Sequence, residues 1–210
     1  MSREQRFTDI FLTNEFQSKE SKSGVGSELS QTKVLLEELP KLFAKLNVKR
    51  LIDAPCGDCN WIKQLFPYFK DNNIEYLGID IVRPLVKQNI EKFNLPFLEI
   101  DIVAEKKLPE ADLLICRDCL VHLSFESAKE ILQNFASSDI RYLLTTSFTN
   151  RNDNISFPDG TNWYPIALTK PPFNLPEPEL IINEGCTECN NQYMDKALVL
   201  WHRESLIGKV

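Results

Sequence analysis

Apolar residues recur along the chain in short blocks whose spacing alternates between two periods. Leu35, Leu36, Leu39, Leu42, Phe43 and Leu46 fall at helical spacing, which predicts an amphipathic helix over Glu28 to Leu46 with a kink at Pro40. Arg50 to Ala54 is a dense apolar run broken by Pro55-Cys56-Gly57-Asp58, a first strand and its turn. Helical spacing returns at Trp61, Ile62, Leu65 and Phe66. Tyr76 to Ile81 reads as a second strand closing on Asp80, and Arg83 to Phe93 as the next helix. Phe97 to Ile100 is a third strand ending at Asp101, and Asp112 to Cys116 a fourth. Ser124 then caps a helix to Phe135, and the Tyr, Leu and Thr content of Arg141 to Thr146 predicts a fifth strand.

Strands that alternate with helices in short steps make a parallel sheet with helices on both faces. Beyond the fifth strand the alternation stops. Residues 147–178 are rich in Asn and Pro and read as a long loop, a length that inside a compact domain goes with function. Glu179 to Asn183 and Lys196 to Arg203 are two antiparallel strands joined by a polar stretch. The expected architecture is therefore α/β: a doubly wound, mostly parallel, seven-stranded sheet with a C-terminal antiparallel hairpin, in one domain over residues 1–210.

Composition narrows the function classes. A net charge of -6 disfavours a nucleic-acid partner, which requires clustered positive charge. No run reaches the roughly eighteen apolar residues of a membrane helix, and the polar start from Met1 to Lys22 is not built as a secretion signal. The expectation is a cytoplasmic protein with no membrane partner. Six cysteines form three C-x-x-C pairs, Cys56/Cys59, Cys116/Cys119 and Cys186/Cys189, a spacing shared by zinc sites, iron-sulfur sites and redox disulfides. They support a rival reading, a non-enzymatic metal or redox module.

In open parallel sheets ligands sit beyond the carboxyl ends of the strands, and here those ends are acidic: Asp53, Asp80 and Asp101. A carboxylate at Asp80 suits both hydroxyls of an adenosine ribose. A dinucleotide site needs glycines in G-x-G-x-x-G so that backbone can approach a pyrophosphate. The turn from Asp53 to Trp61 has one glycine, Gly57, and acidic neighbours that repel phosphate but suit an ammonium and a sulfonium.

The D-x-x-C-G-D turn, the acids ending the second and third strands, and the closing strand hairpin resemble the class I, Rossmann-like S-adenosylmethionine-dependent methyltransferases over nearly the whole chain. The likeness extends to a bacterial subgroup with P-C-G-D-x-N-W and C-R-D-C-L-V-H-L-S, present as Pro55 to Trp61 and Cys116 to Ser124. The single-glycine turn departs from the commoner three-glycine version. The resemblance implies S-adenosylmethionine as cofactor and S-adenosylhomocysteine as product. It implies that Asp53 and Gly57 shape the methionine pocket, that Asp80 with Ile81 holds the ribose, that Asp101 and the Ile102 backbone read the adenine, and that the Cys116 carbonyl accepts from the ammonium. No metal is implied. The subgroup's setting among surface-glycan genes suggests a small polar acceptor: a sugar, a sugar nucleotide or a phosphorylated precursor, methylated on oxygen or, second, on nitrogen.

Methyl transfer asks the protein to align the acceptor and, for a hydroxyl or ammonium, to remove its proton. His122 is the first candidate base because imidazole titrates near neutrality. Asp118, four residues earlier, either orients it or takes the proton itself. Ser23-Gly24-Val25-Gly26-Ser27 before a helix is either an anion site for the acceptor, through Ser23, Gly24 and Ser27, or a lid over the cofactor, or a plain N-cap at Ser27. Arg117 is a candidate partner for an anionic acceptor. Trp163 in the long loop is an acceptor wall or a loop anchor.

Overall fold

The computed structural model describes residues 1–161 and 163–210; Asn162, inside the long loop read from sequence, lies outside the described residues. Seven strands form one sheet in the order β3-β2-β1-β4-β5-β7-β6. They are β1 Arg50–Asp53, β2 Glu75–Asp80, β3 Phe97–Glu99, β4 Leu113–Cys116, β5 Tyr142–Phe148, β6 Leu180–Asn183 and β7 Lys196–His202. β1 to β5 are parallel, and β7 runs antiparallel between β5 and β6. The fold expected from the alternation is the one observed.

The principal helices are α1 Arg3–Thr13, α2 Leu29–Leu46, α3 Phe66–Asp71, α4 Arg83–Phe93 and α5 Phe125–Ala136. Successive strand residues point to opposite faces, so each buried strand serves two cores. Leu51, Leu113, Ile115, Leu144 and Leu198 face a cluster with α2, α3 and α4; Ile52, Leu114, Leu143, Val199 and Trp201 face one with α5. α2 buries Leu35, Leu39, Leu42 and Phe43 on one stripe, and it continues through Pro40, whose carbonyl accepts from Tyr68 Oη at 2.9 Å. The single helix expected through Trp61 and Phe66 is instead a 3-10 turn, Ile62–Leu65, followed by α3, with proline near the start of α3. Pro67 has no N–H to bond backward, which suits a helix start and not its middle.

α1 was not expected from the sequence. Ser2 Oγ accepts from Gln5 N at 3.1 Å, and Asn14 closes the helix in the left-handed region. Ile10 is buried, and Phe7 packs against the α5 side of the sheet. Among the described residues no helix is long and apolar enough to cross a membrane.

The chain winds from β1 outward to β3 and then returns to lay β4 on the other side of β1. At such a reversal the connections leaving the two central strands diverge and open a crevice at their carboxyl ends. That is where the cleft described next lies.

Candidate active site

The cleft holds about 1080 Å³ of empty space with its open mouth included, and it is lined by residues at or just beyond the carboxyl ends of β1 to β4 and by the N-terminal segment. Asp53, Gly57, Asp80, Ile81, Asp101, Ile102, Ser23, Ser27, Arg117, Asp118 and His122 are brought together on its walls. Gly24, Cys116 and Trp163 are not part of that lining.

After β1 the turn is tied to its neighbours by backbone bonds, Ala54 N to Ile115 O and Cys56 N to Ile79 O, both 2.8 Å. Gly57 has φ +53°, and a Cβ there would fall 2.1 Å from Ser23 Oγ. Conformation and close approach both require glycine at this one point. Gly57 N donates to Asp80 Oδ2 and Val82 N to Asp80 Oδ1, each at 3.0 Å. A carboxylate accepts up to about four hydrogen bonds, so Asp80 retains acceptor capacity toward the cleft. Burial pushes its carboxyl up to about 6, against the opposing amides of Val82, Gly57 and Ile81. Asp53, also buried, accepts from Tyr76 Oη at 2.9 Å. Burial pushes it up to about 7; the Tyr76 bond opposes the rise and the charge of Asp80 adds to it. Two buried acids without a cation bonded to either form a site that a donor-rich or cationic ligand stabilises.

Asp101 is engaged differently. Its Oδ1 accepts from Val103 N at 3.0 Å, and its Oδ2 pairs with Arg3 at 2.5 Å. Arg3 also donates to Asp159 at 2.8 Å and to Ser127 Oγ at 3.0 Å. One guanidinium on α1 thereby ties the end of β3, the long loop and α5 together, and α1 closes the cleft with Phe7, Ile10 and Phe11. Sequence reasoning missed these residues. The signal was present: Ser2-x-x-Gln5 is a capping pattern, and Phe7, Ile10 and Phe11 stand at helical spacing.

The residues after β4 carry most of the remaining charge. The Cys116 carbonyl, expected to accept from a ligand ammonium, accepts the Thr145 hydroxyl at 2.7 Å. Arg117 is buried, with Glu184 at 2.7 Å, Asp118 at 3.2 Å and the Gly26 carbonyl at 2.8 Å, and its guanidinium lies over the Trp61 ring. Asp118, in the left-handed region at φ +50°, pairs with Lys196 at 2.7 Å. Burial would raise the Asp118 carboxyl, but Arg117 and Lys196 outweigh it and hold it well below the usual carboxylate range. The expectation that Asp118 orients His122 or serves as base is corrected on this ground. Its oxygens meet Lys196, Arg117 and Thr146, and a carboxylate so stabilised does not take a proton near neutral pH. Glu184 and Lys196 were missed because their pairing joins residues far apart in sequence.

His122 ends a 3-10 turn, Leu120–His122. Phe16 lies 4.8 Å from its ring at a 30° tilt. Burial pushes the imidazole down to about 4, against the pull of Asp118 and of a hydrogen bond to the Thr161 backbone. The ring is neutral at pH 7, and its Nδ1 is buried with no hydrogen-bond partner among the described residues.

The segment read as an anion site is internally satisfied. Ser23 Oγ accepts from Asp58 N at 3.0 Å, Ser21 Oγ and Lys22 N donate to the Asp58 carboxylate, and the amides of Gly24 and Ser27 bond to Ser21 and Gly24 carbonyls. The first amide of α2 donates to Glu20 at 2.9 Å, so Ser27 is not the cap. Asp58 and Arg117 thus pin residues 21–26 across the mouth. Trp163 stacks on Phe148 and meets Tyr193 edge-on, with ring centroids 6.2 and 4.5 Å apart, an aromatic anchor outside the cleft. Cys56 and Cys59 both receive Asn89 Nδ2, at 3.8 and 3.7 Å. Among the described residues, no three His, Cys, Asp or Glu side chains gather as a metal site.

No known family model matches the sequence, and no curated protein does. Solved structures do match. Human N-acetylserotonin methyltransferase, in complex with S-adenosylmethionine, aligns with a TM-score of 0.61 at 14% identity over 95% of this chain and 59% of its own. Magnesium protoporphyrin IX methyltransferase from Synechocystis PCC 6803 gives 0.59 at 14% identity, over 97% of this chain and 98% of its own. The 1,6-didemethyltoxoflavin-N1-methyltransferase of Burkholderia thailandensis, with 1,6-didemethyltoxoflavin and S-adenosylhomocysteine bound, gives 0.60 at 11% identity, over 94% and 87%. At these identities the likeness is one of fold. The chain has the fold of class I methyltransferases and spans about three fifths of the human structure it matches.

Proposed function

We propose that the protein is an S-adenosylmethionine-dependent methyltransferase that methylates an oxygen, or second a nitrogen, of a small polar acceptor. The observation that carries this reading is the pair of buried acids, Asp53 and Asp80, held around a single-glycine turn at the point where strand order reverses. Asp80 has acceptor capacity for ribose hydroxyls, and both acids favour a ligand that brings positive charge and no phosphate. Ile81, Ile102 and Asp101 line the region beyond β2 and β3, where the adenine would lie. The cofactor supplies a methyl group on positively charged sulfur. The chain's share is to hold the acceptor in line, exclude water under α1 and residues 21–26, and orient the acceptor's reacting atom beside His122, which burial keeps neutral.

Of the acceptors expected from sequence, the uncharged ones fit this cleft better than a phosphorylated precursor or a sugar nucleotide, since the guanidinium groups of Arg3 and Arg117 are both paired with carboxylates. The six free cysteines suit a reducing, cytoplasmic setting. Calorimetry with S-adenosylhomocysteine and NAD tests the cofactor. The expected result is micromolar binding of the first and none of the second; comparable affinities would refute the reading.

A further inference from the structure

α4 carries a polar residue on its buried stripe. Leu85, Val86 and Asn89 face inward, and a buried amide costs stability unless it is hydrogen-bonded. Asn89 Nδ2 donates to the Gly57 carbonyl at 2.8 Å. Its second proton meets sulfur, with Cys56 Sγ at 3.8 Å and Cys59 Sγ at 3.7 Å. Cys59 Sγ lies a further 3.7 Å from Tyr76 Oη, and Tyr76 gives its own proton to Asp53 Oδ2 at 2.9 Å. The Cys59 thiol can therefore donate to the Tyr76 oxygen, or to the Gly57 carbonyl at 3.9 Å.

Gly57 is thus held at both of its backbone groups, the N–H on Asp80 at 3.0 Å and the carbonyl on Asn89. The same turn places Cys59 at φ +56°, a conformation costly for a residue with a side chain and kept where the surroundings over-determine it. Cys59 N donates to the Cys56 carbonyl at 3.3 Å and closes the turn. Residues three apart in a closed turn bring two sulfurs to one amide, which gives the C-x-x-C spacing a use here. Burial pushes the Cys56 thiol well above the ordinary thiol range, so it is a neutral, weak acceptor and a poor nucleophile.

We propose, resting on the cofactor reading above, that Asn89 is a positioning residue for the cofactor site. Through the Gly57 carbonyl it aims the Gly57 amide at Asp80, and through Cys59 and Tyr76 it is joined to Asp53. One buried network behind the single-glycine turn thereby sets both acids toward the ligand, where a glycine-rich turn would rely on its free backbone.

The test compares Asn89→Leu, which fills the space without a donor, with Asn89→Asp, which has the same shape and can donate to Gly57 only while its carboxyl is protonated. Calorimetry reads S-adenosylhomocysteine, and carbon-13 spectra of the carboxyls read Asp80 in the ligand-free protein. Asn89→Leu should weaken the ligand about tenfold, what one hydrogen bond is worth in an affinity. It should also raise the Asp80 titration above about 6, because the Gly57 amide that holds that carboxyl down is released. Asn89→Asp should show a large deficit against the wild type where the new carboxyl is ionised, shrinking as pH falls and it gains its proton. In the wild type the Asn89 side-chain amide protons should exchange slowly with solvent. A purely structural role would lower stability but leave the Asp80 titration where it is and make the Asn89→Asp deficit independent of pH. Either of those results, rapid exchange of the Asn89 amide, or ligand affinity within about twofold of the wild type in Asn89→Leu overturns the proposal. If Asn89→Leu does not fold, Asn89→Asp and the exchange of the wild-type amide decide. Failure of S-adenosylhomocysteine to bind the wild type would instead remove the cofactor reading, and the Asp80 titration and the amide exchange are still read in the free protein.

Discussion

Arg3→Met removes the latch that holds α1 over the cleft while keeping the length of the side chain. Three bonds are lost: to Asp101 at 2.5 Å, to Asp159 at 2.8 Å and to Ser127 at 3.0 Å. The charged partners are 22%, 26% and 21% exposed, so the values for buried charged hydrogen bonds, about 1.5 to 3 kcal/mol each, need discounting toward the exposed-pair range of about 0.2 to 1. About 1 kcal/mol for each ion pair gives about 2 kcal/mol for the latch, or about a thirtyfold shift toward the open form. Because α1 must lift for a ligand under it to leave, the dissociation rate of S-adenosylhomocysteine should rise about ten- to thirtyfold, with a smaller change in association. Stopped-flow fluorescence reads it directly, since Trp61 lines the cleft. Lys41→Met, which breaks an exposed pair with Glu38 on α2, is the control and should leave the rate alone. A dissociation rate within about twofold of the wild type, in a variant folded by circular dichroism, would refute α1 as the cover.

Two further predictions concern buried charge. Ligand hydroxyls that donate to Asp80 favour its ionised form, so S-adenosylhomocysteine binding should release a proton near pH 6, and affinity should fall below that pH by up to about tenfold per unit. Calorimetry in two buffers of different ionisation enthalpy measures the proton; Asp80→Asn should abolish it, and equal heats in both buffers would reject the assignment. The ligand-free fold has the reverse sign: a raised carboxyl binds protons better folded than unfolded, so the stability this group contributes is lost as pH rises from about 4 through about 6. Lys196→Met leaves Asp118, Glu184 and Glu188 with Arg117 as their one buried cation. Loss of about 3 to 5 kcal/mol is expected in urea unfolding, and a cost below about 1 kcal/mol would show that the network relaxes.

The strands were legible because each is a short apolar run with an acid or a turn at its end. The residues of the cleft were legible for the same reason, since Asp53, Asp80 and Asp101 mark strand ends whatever the ligand. What resisted reading was pairing across the chain. Asp118 and His122 share the cleft, as their spacing suggested, yet Asp118 pairs with Lys196 and the His122 ring packs on Phe16, neither of which is near them in sequence. α1 escaped notice because its apolar stripe is narrow and its surroundings polar, although its cap was visible at Ser2. Ser23 and Ser27 looked like free donors because nothing local reveals that Asp58 and the segment's own carbonyls engage them.

The place of β7 has a consequence for the order of assembly. β6 is made first but pairs with β7 and not with β5, so its backbone waits for a strand that follows it in the chain. Until residues 196–202 emerge during synthesis, the buried and apolar β5 is an open edge, the kind of surface that pairs with other chains. The same strand begins with Lys196, so the segment that closes the sheet also delivers the cation that Asp118 and Glu184 require. Sheet closure and charge neutralisation are therefore one late event, and a nascent chain stalled before it carries both a sticky edge and an unbalanced cluster of acids for a chaperone or protease to find.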